Sequence, residues 1–202
     1  MITRKLTQSF FQQPTLKVAE NLLGKFLVIQ KNGNPRMKGV AGKIVETEAY
    51  IGEDDLACHA SKGRTNRSEI LYRKAGTVYV YLVYGMYYCL NIVTERENFP
   101  SAVLIRAIEP IEGIDLMKKR RKTNISRNLA SGPGKLCMAF GINKKLNGEN
   151  VFGKDIWIED RGEDESPKNI ISAPRVGVDY AKHCKNLPWR FYIKDNPFVS
   201  RK

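Results

Sequence analysis

The chain has 202 residues, of which 42% are hydrophobic and 27% are charged. This length suffices for one well-buried core and is short for two independent domains, so we expect one domain over residues 1–202. An excess of 34 lysines and arginines over 21 aspartates and glutamates gives a formal net charge of +13. Such an excess favours a polyanionic partner, and nucleic acid is a better candidate than a membrane surface or an acidic protein.

The apolar segments do not direct the chain into or across a membrane. Met1–Lys5 is followed by polar residues rather than by an apolar run, so the sequence shows no secretory signal. The most apolar stretch, Val78–Val93, contains Gly85 and Asn91 and is too short to span a bilayer. We therefore expect a cytoplasmic protein.

The cysteines are scattered and predict neither a disulfide framework nor a metal site. They are Cys58, Cys89, Cys137 and Cys184, with no pair at C-x-x-C spacing. With only two histidines in the chain, a zinc site would need ligands from distant segments. We expect four reduced thiols that act as small core residues, and no metal or cofactor.

A short helix is predicted near the N-terminus. Pro14 suits the first turn of a helix, and Gly24 is placed to end it. Its apolar face would comprise Leu16, Ala19, Leu22 and Leu23. Two strands follow, Phe26–Ile29 and Val40–Ile51, with a turn at Asn32–Pro35 between them.

The central segment predicts a hairpin and a further strand. Two β-rich runs, Thr77–Val83 and Met86–Val93, flank Tyr84-Gly85. A two-residue turn fits, but tyrosine is unusual at its first position because that position needs a positive φ, and a slightly longer loop is the alternative. Val103–Ile108 predicts the next strand, closed by Glu109-Pro110.

The second half mixes short helices and strands. A helix carrying Ile111, Ile114 and Met117 would lead into the basic run Lys118–Lys122, which has too few apolar residues for core. Ser131–Lys135 precedes a helix at Leu136–Phe140. The remaining strands are predicted at Ile156–Ile158, Val176–Val178 and Phe191–Ile193. Helices this few and irregular indicate an α+β fold rather than a regular βαβ alternation.

Two carboxylates stand out on the strand Val40–Ile51. Strict alternation puts Val45, Thr47, Ala49 and Ile51 on one face and Ile44, Glu46, Glu48 and Tyr50 on the other. A carboxylate beside groups that tune its acidity can deprotonate water in a hydrolysis. A solvated strand face is the simpler interpretation of this segment by itself, and nothing local decides between Glu46 and Glu48.

The hairpin concentrates aromatic residues in a strongly basic chain. They are Tyr79, Tyr81, Tyr84, Tyr87 and Tyr88. Aromatic faces among cations are what base stacking requires, although inward-facing rings can equally be ordinary core. Tyr84, near the hairpin tip, could enter a DNA groove in place of an extruded nucleotide, or be an incidental exposed ring.

Two polar loops are candidate contacts to phosphate. His59 precedes a loop with Arg64 and Arg67, whose guanidinium groups can hold phosphates, whereas a lone histidine is more often a structural group. Gly132–Lys135, at a helix start, offers free backbone N–H groups and an ammonium, but such glycines are also ordinary turn residues.

Several segments of the sequence, taken in chain order, resemble the alkyladenine (3-methyladenine) DNA glycosylase family, the type without a helix-hairpin-helix motif. The resemblance runs from about Leu22 to the C-terminus and is carried by Gly42–Tyr50, Tyr79–Asn91, Val103–Pro110, Ser131–Cys137, Arg175–Val178, Trp189–Tyr192 and Pro197–Ser200. It implies a single mixed domain around a curved, mainly antiparallel sheet with a protruding β-hairpin, like the C-terminal domain of formyltransferases. Ser68 and Ala75 depart from the family pattern, which has Asn and Pro there, and this weakens the phosphate roles of Arg64 and Arg67.

The resemblance also assigns roles. Glu48, rather than Glu46, would be the general base, and Arg106 would help to hold the attacking water. The flipped base would be sandwiched by Tyr50, His59 and Tyr81, Asn91 would exclude normal guanine by crowding its exocyclic amine, and Val176 would lie at the rim. Tyr84 would intercalate into DNA with Met86 beside it, and Arg64, Arg67 and Lys135 would contact phosphate.

The implied activity is hydrolysis of the N-glycosidic bond of alkylated purines in double-stranded DNA. The enzyme would be a monofunctional monomer that acts at the nucleoid and needs no protein partner, with 3-methyladenine, 7-methylguanine, hypoxanthine and ethenoadenine as candidate lesions. One alternative is a non-catalytic module that recognises distorted DNA. Another is a formyltransferase-related protein acting on a small molecule or RNA.

Overall fold

A computed structural model describes residues 3–30, 39–163 and 165–201. The predicted turn at 32–35 lies outside these residues. Within them the helices are α1 (Gln8–Phe11), α2 (Thr15–Asn21), α3 (Ile114–Arg121) and α4 (Pro133–Phe140). None of these helices is long and apolar enough to cross a membrane. The strands are β1 (Arg4–Lys5), β2 (Phe26–Ile29), β3 (Val40–Ile51), β4 (Val78–Val83), β5 (Tyr87–Val93), β6 (Ser101–Glu112), β7 (Ile156–Asp160), β8 (Ile170–Ala173) and β9 (Arg190–Ile193).

The described strands form one antiparallel sheet that forks at β3. Its main path runs β1-β7-β2-β3-β6-β5-β4. The first part of β3 pairs with β2, whereas Glu46–Glu48 pairs with β9, which in turn pairs with β8. Helix α2 packs against β3, and α4 packs against β5 and α3. This is the predicted α+β class, built as one domain on a large open antiparallel sheet.

A register shift in β3 overturns the strict alternation predicted for its side chains. The pairing with β6 slips between Ile44 and Glu46, and Ile44 and Val45 both lie in the main core. Ile44 therefore does not share a face with the carboxylates. Beyond the shift, Thr47 faces the helical layer, where its hydroxyl donates to the carbonyl of Ala19 at 2.7 Å.

Strand β6 and helix α3 have boundaries that differ from the predicted ones. Strand β6 does not close at Pro110 but continues to Glu112, because Pro110 lies opposite Gly42 beside a second register shift, where a strand tolerates the missing N–H. Ile111 is thus in a strand, and α3 starts only after Gly113, whose φ of +73° ends the strand. The basic run Lys118–Lys122 forms the C-terminal half of α3 and its cap.

Two further expectations are wrong. Leu16 is 36% exposed, and Val18 takes its place in the core beside Ala19, Leu22 and Leu23. Val176–Val178 is a loop rather than a strand, because Gly177 adopts φ +78° and the backbone of Val176 is engaged by a side chain. Helix α1 was not predicted from the sequence. All four cysteines are buried and unpaired, as predicted.

Candidate active site

Glu48 is a fully buried carboxylate in the second half of β3. Its Oε1 accepts a hydrogen bond from the backbone N–H of Val176 at 2.7 Å and lies 3.2 Å from Nη1 of Arg106. Its Oε2 accepts a hydrogen bond from the hydroxyl of Tyr50 at 2.8 Å. The solvated strand face that the segment by itself suggested is therefore wrong, since water does not reach Glu48 in this conformation.

Glu46 is equally buried but has a different set of partners. Its Oε1 lies 3.3 Å from Nε of Arg106 and 2.9 Å from Nη1 of Arg190, and its Oε2 accepts from the backbone N–H of Ser200 at 2.7 Å. Two guanidinium groups thus balance two carboxylates, which is the arrangement that makes buried charge tolerable. None of these partners lines the slot described below, so the role of Glu46 is to hold Arg106 in place.

Arg106 bridges the two carboxylates from the neighbouring strand β6. Burial by itself would lower the pKa of Arg106, but Glu48 and Glu46 outweigh burial and raise it. The guanidinium therefore remains charged at any pH at which the protein folds. Arg106 thus places a fixed positive charge 3.2 Å from Glu48, an arrangement in which a carboxylate can serve as a general base.

A slot lined by aromatic residues lies beside Glu48, separated from it by Tyr50. Its lining comprises Tyr50, Ala57, Cys58, His59, Leu71, Tyr79, Tyr81, Asn91 and Ala102. The sequence-predicted Tyr50, His59, Tyr81 and Asn91 are thus brought together. Val176 is not part of the lining; its contribution is the backbone N–H that Glu48 accepts.

The slot is closed in this conformation. Its cavity measures about 20 Å³, room for about one water molecule. The rings of His59 and Tyr81 are in edge-to-face contact, with centroids 4.5 Å apart. A base between two ring faces needs a centroid separation of roughly 7 Å, because stacked carbon atoms approach to about 3.5 Å. Entry of a purine therefore requires His59 or Tyr81 to move.

His59 is held in the slot by a hydrogen bond to its neighbour. Its Nδ1 lies 2.8 Å from the hydroxyl of Tyr79, and the positive charge of Arg67 also acts on this pair. Burial, helped by the charge of Arg67, lowers the pKa of His59 to about 4. The imidazole is consequently neutral at physiological pH.

Asn91 lies on β5 and is part of the slot lining. It is buried, it pairs in register with Tyr79 of β4, and its Nδ2 donates to the carbonyl of Tyr79 at 3.2 Å. This bond fixes the amide in one orientation, so the lining at this position is rigid.

The hairpin tip is a three-residue loop, one residue longer than the two-residue turn considered first. Tyr84 and Gly85 have φ values of +52° and +69°, and the N–H of Met86 donates to the carbonyl of Val83. Tyr84 is 87% exposed and Met86 is 66% exposed. The two largest apolar groups of the tip therefore point into solvent.

The three candidate phosphate ligands differ in their availability. Arg64 is engaged by Glu69 through two hydrogen bonds of 2.7 and 2.8 Å, which leaves less of its charge for a phosphate than the sequence suggested. Arg67 is exposed, with its guanidinium 5.5 Å over the Tyr81 ring at the slot. Lys135, at the start of α4, lines a groove of about 370 Å³ beside Tyr84 and Tyr87 of the hairpin.

An ion pair that the sequence did not reveal fixes the loop that bonds to Glu48. Arg175 donates to both carboxylate oxygens of Asp55, at 2.6 and 2.8 Å, and to the carbonyl of Ala49 at 2.8 Å. Its guanidinium also lies over the rings of Tyr50 (4.8 Å) and Trp189 (5.1 Å). These contacts place the next residue, Val176, against Glu48. In the sequence, the only indication of this role was that Arg175 is the first residue of Arg175–Val178, one of the segments that resemble the family.

Ser68, a departure from the family pattern, is well accommodated. Its Oγ accepts from the backbone N–H of Thr65 and donates to the carbonyl of Gly63, both at 2.8 Å. The residue is buried and organises the loop that carries Arg64 and Arg67. Ala75, the other departure, is also buried.

Sequence comparison with known proteins shows which family the chain resembles. The family model described as methylpurine-DNA glycosylase (MPG) matches residues 9–197. Relatives named "Putative 3-methyladenine DNA glycosylase" include one from Methanocella arvoryzae, 50% identical over 98% of this chain and 96% of the relative. Another from Clostridium perfringens is 48% identical over 98% of this chain and the whole relative, and one from Legionella pneumophila is 46% identical over 98% and 99%.

Proposed function

The chain belongs to the methylpurine-DNA glycosylase family and is a DNA glycosylase, and we propose that it excises alkylated purines from duplex DNA by base flipping, with water activated by Glu48. The observation that carries this proposal is the buried Glu48 carboxylate, bonded to Arg106 and placed one side chain away from an aromatic slot. We further propose that the whole chain forms this single catalytic domain.

The proposed chemistry needs only one base and a good leaving group. Alkylation at N3 or N7 gives the purine a formal positive charge, so its bond to C1′ breaks through an oxocarbenium-like sugar. The bonding electrons go to the purine, which leaves as the neutral alkylated base. Water bonds to C1′ as its proton passes to Glu48, whose negative charge also stabilises the sugar cation. The products are the free base and an abasic site.

Electrostatics of the slot suit a cationic base. The slot rings of Tyr50 and Tyr81 would stack on the positively charged purine, at about 0.5–2 kcal/mol per contact. His59 is neutral because its pKa is lowered to about 4, so it does not repel that charge. The weakened pairing of a damaged base would add selectivity during flipping.

Normal guanine would be rejected by the side chain of Asn91, which a hydrogen bond holds in one orientation in the slot. The side-chain amide of Asn91 is tied to the carbonyl of Tyr79 and cannot turn away from an exocyclic amine without breaking that bond. Rejection by an immovable clash is an ordinary means of discriminating between similar ligands. We propose 3-methyladenine and 7-methylguanine as substrates, with hypoxanthine and ethenoadenine as further candidates. Of these, 7-methylguanine keeps the exocyclic amine of guanine, so its excision would depend on its positive charge and weakened glycosidic bond rather than on Asn91.

DNA would be held by the hairpin and by basic residues around the slot. Tyr84 and Met86, both exposed at the tip, would fill the space that the flipped nucleotide leaves. Arg67 and Lys135 would contact phosphates, and Arg64 would contribute less because Glu69 engages it. We propose a monofunctional enzyme that works at the nucleoid as a monomer.

The proposal is tested by replacing the carboxylate with its neutral isostere. Glu48→Gln should lower single-turnover release of 3-methyladenine from methylated duplex DNA by at least about a hundredfold, because the amide cannot accept a proton. Binding to damaged duplex should persist. Glu112→Gln is a matched control, since Glu112 is exposed and pairs with Ala41 at the far end of β3.

The alternatives give different outcomes in the same assay. Equal release by Glu48→Gln and wild type would remove Glu48 from the mechanism. A wild-type protein that binds damaged duplex but releases no base would favour the non-catalytic module. A protein that does neither would reopen the formyltransferase-related alternative.

A further inference from the structure

The hydroxyl of Tyr50 is bonded directly to the carboxylate that the proposed mechanism uses as its base. Tyr50 Oη lies 2.8 Å from Oε2 of Glu48. The two residues are separated by one residue on β3, so their side chains leave the same side of the strand. The ring of Tyr50 meanwhile lines the slot. One side chain therefore touches both the slot and Glu48.

The direction of this hydrogen bond is determined by the acidity of the phenol. Burial raises the pKa of Tyr50 well above its ordinary value, and the neighbouring Glu48 raises it further. The phenol therefore keeps its proton, and an ionised carboxylate can only accept. Tyr50 is the donor.

Counting the acceptor sites of Glu48 shows where a water molecule can bind. An ionised carboxylate offers about four lone-pair directions, two on each oxygen. Oε1 already faces two donors, the N–H of Val176 and the guanidinium of Arg106. Oε2 faces only the Tyr50 hydroxyl among the described residues. Oε2 is consequently the oxygen that keeps a lone-pair direction for a water molecule once the slot opens to admit a base, and Tyr50 fixes its orientation.

The ring of Tyr50 is itself held in place. The guanidinium of Arg175 lies 4.8 Å from its centroid and covers one face, so a base can stack on the other face only. Arg175 is in turn anchored by Asp55. Stacking against Tyr50 and orientation of Glu48 are thereby parts of one rigid assembly.

We propose, on the basis of the function proposed above, that Tyr50 is a positioning residue for Glu48: its hydroxyl orients Oε2 toward the sugar and favours the ionised carboxylate. The phenol keeps its proton throughout. The proton of the attacking water goes to the remaining lone pair of Oε2. This role is separate from the stacking of the Tyr50 ring on the base.

The test removes the hydroxyl and keeps the ring. In Tyr50→Phe, Glu48 loses a donor to its ionised form and is protonated more easily. The acidic limb of the pH profile for single-turnover release of 3-methyladenine should move to higher pH. At the pH optimum the rate should fall by less than roughly tenfold, because Val176 and Arg106 still hold the carboxylate.

The charged and titratable groups around Glu48 come from several elements. Arg106 on β6 and Arg175 in the loop before Val176 are the cations beside it, and Tyr81 and Cys89 on the hairpin face it as neutral groups. Tyr72→Phe is the matched control: it removes a phenol outside the slot that donates to a different carboxylate, Glu53, at 2.5 Å, and it should leave the acidic limb unmoved.

Thermal unfolding provides a second measurement that does not depend on activity. Tyr50→Phe should lower Tm by about 2–6 °C in wild type. In the Glu48→Gln background the loss should be at most half as large, because the charge-assisted part of the bond is gone.

The outcomes separate this inference from the proposed function. Absence of base release by wild type would sink the proposed function. An active wild type whose acidic limb is unchanged or moves to lower pH in Tyr50→Phe would overturn only the role of Tyr50. If the limb lies below the pH at which the protein unfolds, equal Tm losses in the two backgrounds would overturn that role.

Discussion

Glu46 and Glu48 are chemically identical and two residues apart, yet their surroundings give them different capacities. Each carboxylate faces three donors among the described residues, two at Oε1 and one at Oε2. The difference is that the donor at Oε2 of Glu48 is Tyr50, whose ring lines the slot, whereas the donor at Oε2 of Glu46 is the backbone N–H of Ser200. The sequence could not make this distinction, because Arg190 and Ser200 reach Glu46 from more than 140 residues away. Only the family resemblance chose between the two carboxylates.

The neutral imidazole of His59 has a consequence for stability. Its pKa is lowered to about 4 in the folded protein by burial and by Arg67, whereas an unfolded chain has a value near 6.5. Below about pH 6.5 the unfolded chain takes up a proton that the folded protein refuses. His59 should therefore reduce the free energy of unfolding as the pH falls from 6.5 toward 4, by on the order of 2–3 kcal/mol.

Urea unfolding at pH 4.5 and pH 7 measures this effect. His59→Gln should show a smaller loss of stability between the two pH values than wild type. His183→Gln, which removes the other histidine from an exposed turn, should behave like wild type. Equal losses in all three proteins would mean that His59 titrates alike in the folded and unfolded chain.

At the level of elements, strands were predicted better than loops. The bounds of Phe26–Ile29 and Val40–Ile51 match β2 and β3, because local composition and alternation determine a strand. Val176–Val178 has the same apolar character but is a loop, because Glu48 binds its backbone and Gly177 takes a positive φ. The hydrogen bond between Glu48 and the backbone of Val176 joins residues 128 positions apart, so the local sequence does not reveal it.

The backbone of Tyr84, in the hairpin tip, adopts a conformation that is unfavourable for a residue with a side chain. Tyr84 adopts φ +52°, a region that costs a residue with a Cβ atom about 1 kcal/mol or more. The side chain is 87% exposed and makes no core contact that would compensate. We therefore expect the ring to be retained for contact with DNA.

Tyr84→Gly separates the two effects of this residue. Glycine relieves the backbone cost, so Tm should not fall. Excision from duplex should decrease at least about tenfold, because nothing fills the gap left by the flipped base, whereas excision from single strands should change little. Tyr84→Phe, which retains the ring, should stay close to wild type. Similar losses on duplex and single strands would contradict intercalation.

At the scale of the whole molecule, net charge was informative about the partner and silent about the fold. A charge of +13 is carried partly by exposed residues such as Arg67 and by the basic end of α3. The DNA substrate of the family agrees with that excess. The α+β class, by contrast, followed from the pattern of strands, and the fork of the sheet at β3 could not be predicted because it joins β3 to β9 across more than 140 residues.

Salt dependence measures how many of these charges contact DNA. The logarithm of the association constant for damaged duplex should fall linearly with the logarithm of salt concentration, by about 0.9 per phosphate contact. Lys135→Gln should reduce that slope by about one contact. Arg64→Gln should change it less, since Glu69 already engages the guanidinium. A flat response in wild type would argue against phosphate tracking, and equal changes in both variants would argue against a special position for Lys135.

The buried cysteines affect how the protein reacts with methylating agents, which would also produce its proposed substrates. Burial raises the pKa of Cys58 to about 12 and of Cys89 to about 11, so neither forms appreciable thiolate at neutral pH. Thiolate is the form of cysteine that attacks electrophiles. Methylating agents that damage purines would consequently find poor nucleophiles in these two side chains, and we expect both to be methylated more slowly than an exposed thiol.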